Sequence, residues 1–156
     1  PEPLIKKEFS RIMSLKDGLK KMSKSEISDL SRINLTDDKD TIANKIKKAK
    51  TDALPLPSTI EELEKRPEAK NLIGIYSSLT GSTLENSINK FSGKNFSDFK
   101  ENLSQVVVDR IVPISSEIKR LLQDKNYLDK ILLEGVEKAD NISSQKIKKI
   151  HEIVGF

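Results

Sequence analysis

Phe99-Lys100-Glu101-Asn102-Leu103-Ser104-Gln105-Val106-Val107-Val108-Asp109-Arg110-Ile111-Val112-Pro113-Ile114-Ser115-Ser116-Glu117-Ile118-Lys119-Arg120-Leu121 can be read in two ways. Its three consecutive valines favour a strand, whereas Phe99, Leu103, Val106, Arg110, Ile114, Ile118 and Leu121 recur at steps of three and four, the helical period. These 23 residues far exceed the usual length of a strand, so the segment reads as a helix. Pro113 removes one ladder bond and is expected to bend it. On the carboxyl-terminal side, Leu128, Leu132, Gly135, Ala139, Ile142, Ile150 and Val154 mark a last helix, with Gly135 and Ala139 leaving room for a neighbouring helix. On the amino-terminal side, Ser58 with Glu61 and Ser82 with Glu85 have the spacing of capping boxes. Pro67 suits a first helical position, and Gly81 and Gly93 suit helix stops. Residues 58–156 are thus expected to be helical throughout and the chain mainly α, with no internal repeat and no low-complexity tract.

Upstream of this block, Leu54-Pro55-Leu56-Pro57 cannot continue a helix and reads as a linker. Before it, Asp37 as N-cap and Asp40 at N3 precede Ile42, Ala43, Ile46 and Ala49, one apolar helical stripe. Lys45, Lys47, Lys48 and Lys50 project onto the remaining surface as a solvated face. Residues 32–57 therefore form a connecting helix and a linker. In residues 1–31, Phe9 to Leu15 alternate apolar and polar side chains as a short strand does. A turn is expected at Asp17-Gly18, and Leu19 to Ser25, poor in apolar residues, should be a mobile loop.

Composition narrows the chemistry. The chain has 156 residues, 28 Lys and Arg, 24 Asp and Glu, one His and no Cys or Trp, enough for one domain with a real core. Without cysteine there are no disulfides, thiolate nucleophiles or cysteine metal sites, and His151 alone cannot supply a histidine metal set. No apolar run approaches the ~20 residues that span a bilayer. The sequence opens at Pro1-Glu2-Pro3 with no initiator Met and no apolar signal core, as a segment excised from something longer would. Positive charge is concentrated in residues 1–50, which hold 13 basic and 8 acidic side chains. A polyanion is the natural partner of such a segment, although lysines that merely solvate a surface would give the same counts.

The one constellation that asks for a reactive role is Lys21-Met22-Ser23-Lys24-Ser25. Two ammonium groups three residues apart on a loop could clamp a polyphosphate while hydroxyls and backbone N–H groups take the remaining oxygens. His151, near a helix end beside Lys148 and Lys149, reads as a surface or helix-terminal residue rather than a base.

This pentapeptide is identical to the second signature of the class I aminoacyl-tRNA synthetases. Arg11 to Leu15, Lys50-Thr51-Asp52, Asn71 to Gly81, Gly93-Lys94, Asp98-Phe99-Lys100, Val106 to Val108, Pro113-Ile114, Glu134 to Ala139 and Val154-Gly155-Phe156 extend the likeness over essentially the whole chain. In them it resembles the carboxyl-terminal half of the bacterial tryptophanyl-tRNA synthetase branch. The resemblance implies residues 1–31 as the last strand and signature loop of a Rossmann-like catalytic domain, and residues 58–156 as a helical, anticodon-binding domain. It also implies ATP with Mg2+, tryptophan and the tRNA for tryptophan as partners, a homodimer at full length, a cytoplasmic setting, and no membrane or DNA partner.

By the same resemblance Lys21 and Lys24 are the catalytic pair that stabilises departing pyrophosphate, with Lys24 in direct contact. Met22, Ser23 and Ser25 shape the ATP site. Ile12 matches the position where backbone groups meet adenine, although an ordinary core strand residue would look the same. Lys119, Arg120, Lys146, Lys148 and Lys149 are candidates for RNA phosphates. The chain departs from the family in lacking the first signature, a His-x-Gly-His cluster, together with the tryptophan pocket, so on its own it is expected to form no adenylate. Glu26 stands where the branch often has Asp. The alternatives are a non-catalytic helical module that binds RNA or docks a partner, and a purely structural bundle.

Overall fold

The computed structural model describes Glu2 and residues 9–155. They contain a two-stranded antiparallel hairpin, β1 (Met13–Ser14) and β2 (Asp17–Lys21), followed by a 3-10 turn at Asp29–Ser31. Six helices come next: α1 (Lys39–Lys47), α2 (Ile60–Glu64), α3 (Pro67–Thr80), α4 (Leu84–Phe91), α5 (Phe96–Gln123) and α6 (Lys125–Val154). The mainly helical expectation holds. The chain divides into two compact units, Pro1–Ser115 and Ser116–Phe156.

The first unit is built around apolar helix faces, of which sequence periodicity marks those of α1 and α5. Ile42 and Ile46 of α1, Leu63 of α2, Leu72 and Ile73 of α3, Ile88 and Phe91 of α4, and Phe99 and Leu103 of α5 are all buried. Tyr76, Phe91 and Phe99 form its aromatic centre, with Phe91 meeting each of the other two edge-on at 4.9 Å between centroids, the arrangement that ring quadrupoles favour. α5 is a single helix with Pro113 inside it, and its valines lie on the helix. Length outweighed β-propensity because successive turns bury Phe99, Leu103 and then Val107 and Val108 against the core. In the second unit α6 has no buried residue, and a Cβ at Gly135 would meet open space.

Local details differ from the sequence reading for identifiable reasons. The first helix is capped by Asp38, whose carboxylate accepts from Thr41 N at 2.8 Å. Asp37 is instead buried against Lys45. Lys45, expected on the solvated face, is 2% exposed. Thr59 and Thr83, not Ser58 and Ser82, are the N-caps of α2 and α4. Gly81, left-handed at φ 70°, closes α3, and Ser82 N donates to Ser77 O at 3.1 Å, so Ser82 belongs to the preceding helix end. Pro67 does occupy the first turn of α3.

The Pro-containing linker is pinned rather than loose: Leu56 is buried, its N–H donates to Lys94 O at 2.8 Å, and its carbonyl accepts from Gly93 N at 3.1 Å. The hairpin also falls elsewhere than expected. Its turn is at Leu15-Lys16, and Asp17 to Lys21 form strand β2 instead of a turn and a loop. Gly18 serves close approach: a Cβ there would come within 2.6 Å of the Pro67 and Glu68 backbone, a recognised use of glycine inside a strand. Of the expected strand at Phe9 to Leu15, β1 takes up only Met13–Ser14.

Candidate functional site

Helices position the signature segment through its hairpin. Asn71 of α3, 5% exposed, acts as an extra strand partner for β1: its Oδ1 accepts from Met13 N at 2.9 Å and its Nδ2 donates to Met13 O at 2.8 Å. Leu15 donates to Ser31 O at 2.9 Å and accepts from Lys50 N at 2.7 Å, which fixes the hairpin turn between the 3-10 turn and the end of α1. Glu68 at the start of α3 meets Lys50 Nζ at 2.9 Å. Hydrogen bonding to Lys50 holds the Glu68 carboxyl below its ordinary value despite burial, with the Gly18 N–H adding to the effect, and raises the Lys50 ammonium in return.

β2 delivers Lys21 to its open end, and Met22 N continues the pairing by donating to Ile12 O at 3.0 Å. Beyond it, Ser23 and Ser25 share a hydroxyl hydrogen bond of 2.8 Å, and Ser25 N donates to Ser23 Oγ at 3.3 Å. This segment forms one lip of an open cleft of about 800 Å³. Ile12, Lys21, Met22, Ser23 and Lys24 line it together with Ser10 and Arg11, and Arg32 to Thr36 line the other side. Ser25 is not part of the lining. Five of the six residues assigned to ATP from the sequence therefore meet at one surface. Lys21 and Lys24 are exposed, and neither forms an ion pair with a described residue.

The cleft also contains cations that sequence reasoning passed over, Arg11 and Arg32. Arg32 follows Asp29 by three residues, a spacing that signals an ion pair but no particular chemistry. Behind it, Lys45 Nζ lies 2.6 Å from Asp37 Oδ2 and 2.7 Å from Asp29 Oδ2. Hydrogen bonds from Lys45 and then Asn34 hold the Asp29 carboxyl below its ordinary value. Among the described residues the lining has four basic side chains or their stems and no carboxylate, which suits a polyanion. It does not fit direct ligation of Mg2+, which prefers carboxylate and phosphate oxygens. Among the described residues no group of three His, Cys, Asp or Glu could hold a metal ion, and no helix is long and apolar enough to cross a membrane.

The five basic residues considered for RNA lie in the second unit. Lys119 and Arg120 are on α5, and Lys146, Lys148 and Lys149 are on α6. Projected along α6, Lys146 and Lys149 share a face that Lys148 does not. Arg120 is held by Glu117 through Nε to Oε2 at 2.8 Å and Nη2 to Oε1 at 2.7 Å, which keeps the Glu117 carboxyl below its usual range. Lys148 and His151 lie beside a shallow groove along α6 with Asp140, Ser143 and Ser144.

Comparison with known proteins places these features in context. The family described as tRNA synthetases class I (W and Y) matches residues 1–111. A tryptophan–tRNA ligase of Brucella melitensis is 50% identical over 155 residues, covering 99% of this chain and 44% of the relative. One from Rickettsia felis is 50% identical over 156 residues, covering all of this chain and 47% of the relative. The chain thus spans somewhat less than half the length of these curated relatives. Among solved structures, a tryptophanyl-tRNA synthetase from Mycoplasma pneumoniae superposes with a TM-score of 0.70 at 25% identity, over 97% of this chain and 45% of that one. The fold is also that of the Campylobacter jejuni tryptophanyl-tRNA synthetase complexed with ADP and tryptophan, with a TM-score of 0.74 at 24% identity over 100% of this chain and 47% of that chain.

Proposed function

We propose, because the chain belongs to the class I tRNA synthetases of the tryptophan and tyrosine group, that it acts as the carboxyl-terminal part of a tryptophan–tRNA ligase. In that role residues 1–31 complete the nucleotide-binding fold, residues 32–57 connect, and residues 58–156 receive the tRNA for tryptophan. The full-length protein would be a cytoplasmic homodimer.

The reaction calls for the tryptophan carboxylate to attack the α-phosphorus of ATP. The bond from that phosphorus to the bridging oxygen then breaks, and pyrophosphate leaves with the bonding electrons. Negative charge grows on the leaving group, and a fixed cation is worth most where charge develops. At 4 Å and an effective dielectric of 20, one ammonium offers roughly 4 kcal/mol of attraction. Lys21 and Lys24 are suited to this: they sit on one lip of the cleft, and no carboxylate among the described residues of its lining neutralises them. That is the observation that carries the reading. Ile12 beside them offers backbone groups to adenine, and the Ser23 and Ser25 hydroxyls shape the loop.

Neither the first signature nor the tryptophan pocket is in the sequence, so the chain alone is expected to form no adenylate. Joined to the nucleotide-binding half of a relative such as the Brucella enzyme, it is expected to give tryptophan-dependent ATP–pyrophosphate exchange. Exchange that never appears in a folded, soluble joined protein would refute the catalytic role and favour the non-catalytic RNA-binding module. A binding constant for the cognate tRNA that falls steeply with salt would in turn reject a purely structural bundle.

A further inference from the structure

We propose that Arg32 is a positioning residue for the signature loop, clamping its outgoing end so that Lys24 stays on the lip of the cleft. The inference rests on the reading of that cleft as the ATP phosphate site. The loop is held on its incoming side by Met22 N donating to Ile12 O at 3.0 Å. On its outgoing side Arg32 Nη1 donates to Glu26 O at 2.8 Å. These two anchors stand two residues before and two residues after Lys24. Only the arc Ser23-Lys24-Ser25 lies between them, much shorter than a loop running from Leu19.

The outgoing anchor connects to the interior. The Arg32 side chain is 18% exposed, its Nη2 lies 3.0 Å from Asp29 Oδ1, and its Nε donates to Asn34 Oδ1 at 3.2 Å. The second oxygen of Asp29 takes Lys45 Nζ at 2.7 Å, and that buried ammonium also holds Asp37 at 2.6 Å. Asn34 locks the same turn from the other side, with its N–H on Asp37 Oδ2 at 2.9 Å and its amide on Asp29 Oδ1 at 3.0 Å. A charged relay thus runs from α1 to one backbone carbonyl of the loop. Apolar packing supplies no substitute, because Ile27, the next residue, is 99% exposed. The planar fork of arginine satisfies three acceptors in fixed directions, which the single ammonium of lysine cannot do. Arg32 also lines the cleft, with three of its five N–H donors directed at these protein acceptors, and the part assigned to it is to place Lys24.

Two measurements test this. In the chain itself, Arg32→Met is expected to speed tryptic cleavage of the Lys24–Ser25 bond by about tenfold, the change expected when a charge-assisted hydrogen bond closing a local opening is lost. Far-UV circular dichroism and cleavage at sites outside residues 20–32 should be unchanged, the substitution itself removing the tryptic site at Arg32. If Arg32→Met does not fold, Arg32→Lys, which keeps a cation beside Asp29 but loses the fork, carries the same test. In the joined enzyme, the variant is expected to lower kcat for ATP–pyrophosphate exchange between about tenfold and a hundredfold, as small misplacements of a catalytic group do, with KM for tryptophan unchanged. Unaltered cleavage at Lys24, or a loosened loop with unaltered kcat, overturns the proposal. A parent enzyme without exchange would count against the catalytic reading above, while the protease measurement would still decide the clamp.

Discussion

At the scale of single residues, Asn71 shows how a helix can hold a strand that is too short to hold itself. Its amide returns both a donor and an acceptor to Met13, at 2.9 and 2.8 Å. Asn71→Leu keeps the volume but leaves two backbone groups of β1 without partners, at a cost of about 1–3 kcal/mol for each group that stays dry. The midpoint of urea unfolding is expected to fall accordingly, and an unchanged midpoint would deny Asn71 that role. Such pairings are invisible in a sequence, because Asn71 and Met13 are 58 residues apart. Lys45 was misplaced for a related reason. Helical projection puts it off the apolar stripe, but burial of a lysine is decided by the carboxylates that fold back to meet it, here Asp29 and Asp37. By contrast the pentapeptide Lys21 to Ser25 is recognisable from adjacent residues alone, and the cleft brings all but Ser25 together.

Among secondary-structure elements, helices with several buried residues on one face were readable, as were both ends of α3, and the N-caps of α1, α2 and α4 were not. The stripe Ile42 and Ile46, the long α5, Pro67 and Gly81 all appear where periodicity and punctuation put them. The caps slipped by one residue because Ser58-Thr59 and Ser82-Thr83 offer two adjacent hydroxyls, and only the preceding chain path selects one. The pinned linker and hairpin add a pH dependence. Arg66 holds the Asp52 carboxyl below 3.8, and Lys50 holds Glu68 below 4.5. Both carboxyls thus titrate lower folded than unfolded. Their contribution is present above those ordinary values and is lost as pH falls through them toward the folded values. Lys50, raised above 10.5, contributes fully below that value and loses its share only as pH rises beyond it. The melting temperature is expected to be level from neutral pH down to about pH 5 and to fall below it. Asp52→Asn should flatten that fall when melting is followed by circular dichroism across the acid range, and an identical acid slope would remove the Asp52–Arg66 pair from the explanation.

For the molecule as a whole, the division into two compact units falls within α5, between Ser115 and Ser116. Turn chemistry and punctuation say where helices stop; they do not say where buried contacts stop. The aromatic centre of Tyr76, Phe91 and Phe99 lies in the first unit, while α6 buries no residue. Amide hydrogen exchange of the isolated chain is therefore expected to protect α3 and the first half of α5 most strongly and α6 least, because protection follows buried contacts. Equal protection along α6 would contradict this. The account as a whole depends on whether Lys24 meets the charge that grows on pyrophosphate. The most direct measurement is tryptophan-dependent ATP–pyrophosphate exchange by the joined enzyme carrying Lys24→Ala. A loss of about 10²–10³ in kcat, as when one transition-state charge donor is removed, is the expected result, and a kcat equal to that of the parent would contradict the account.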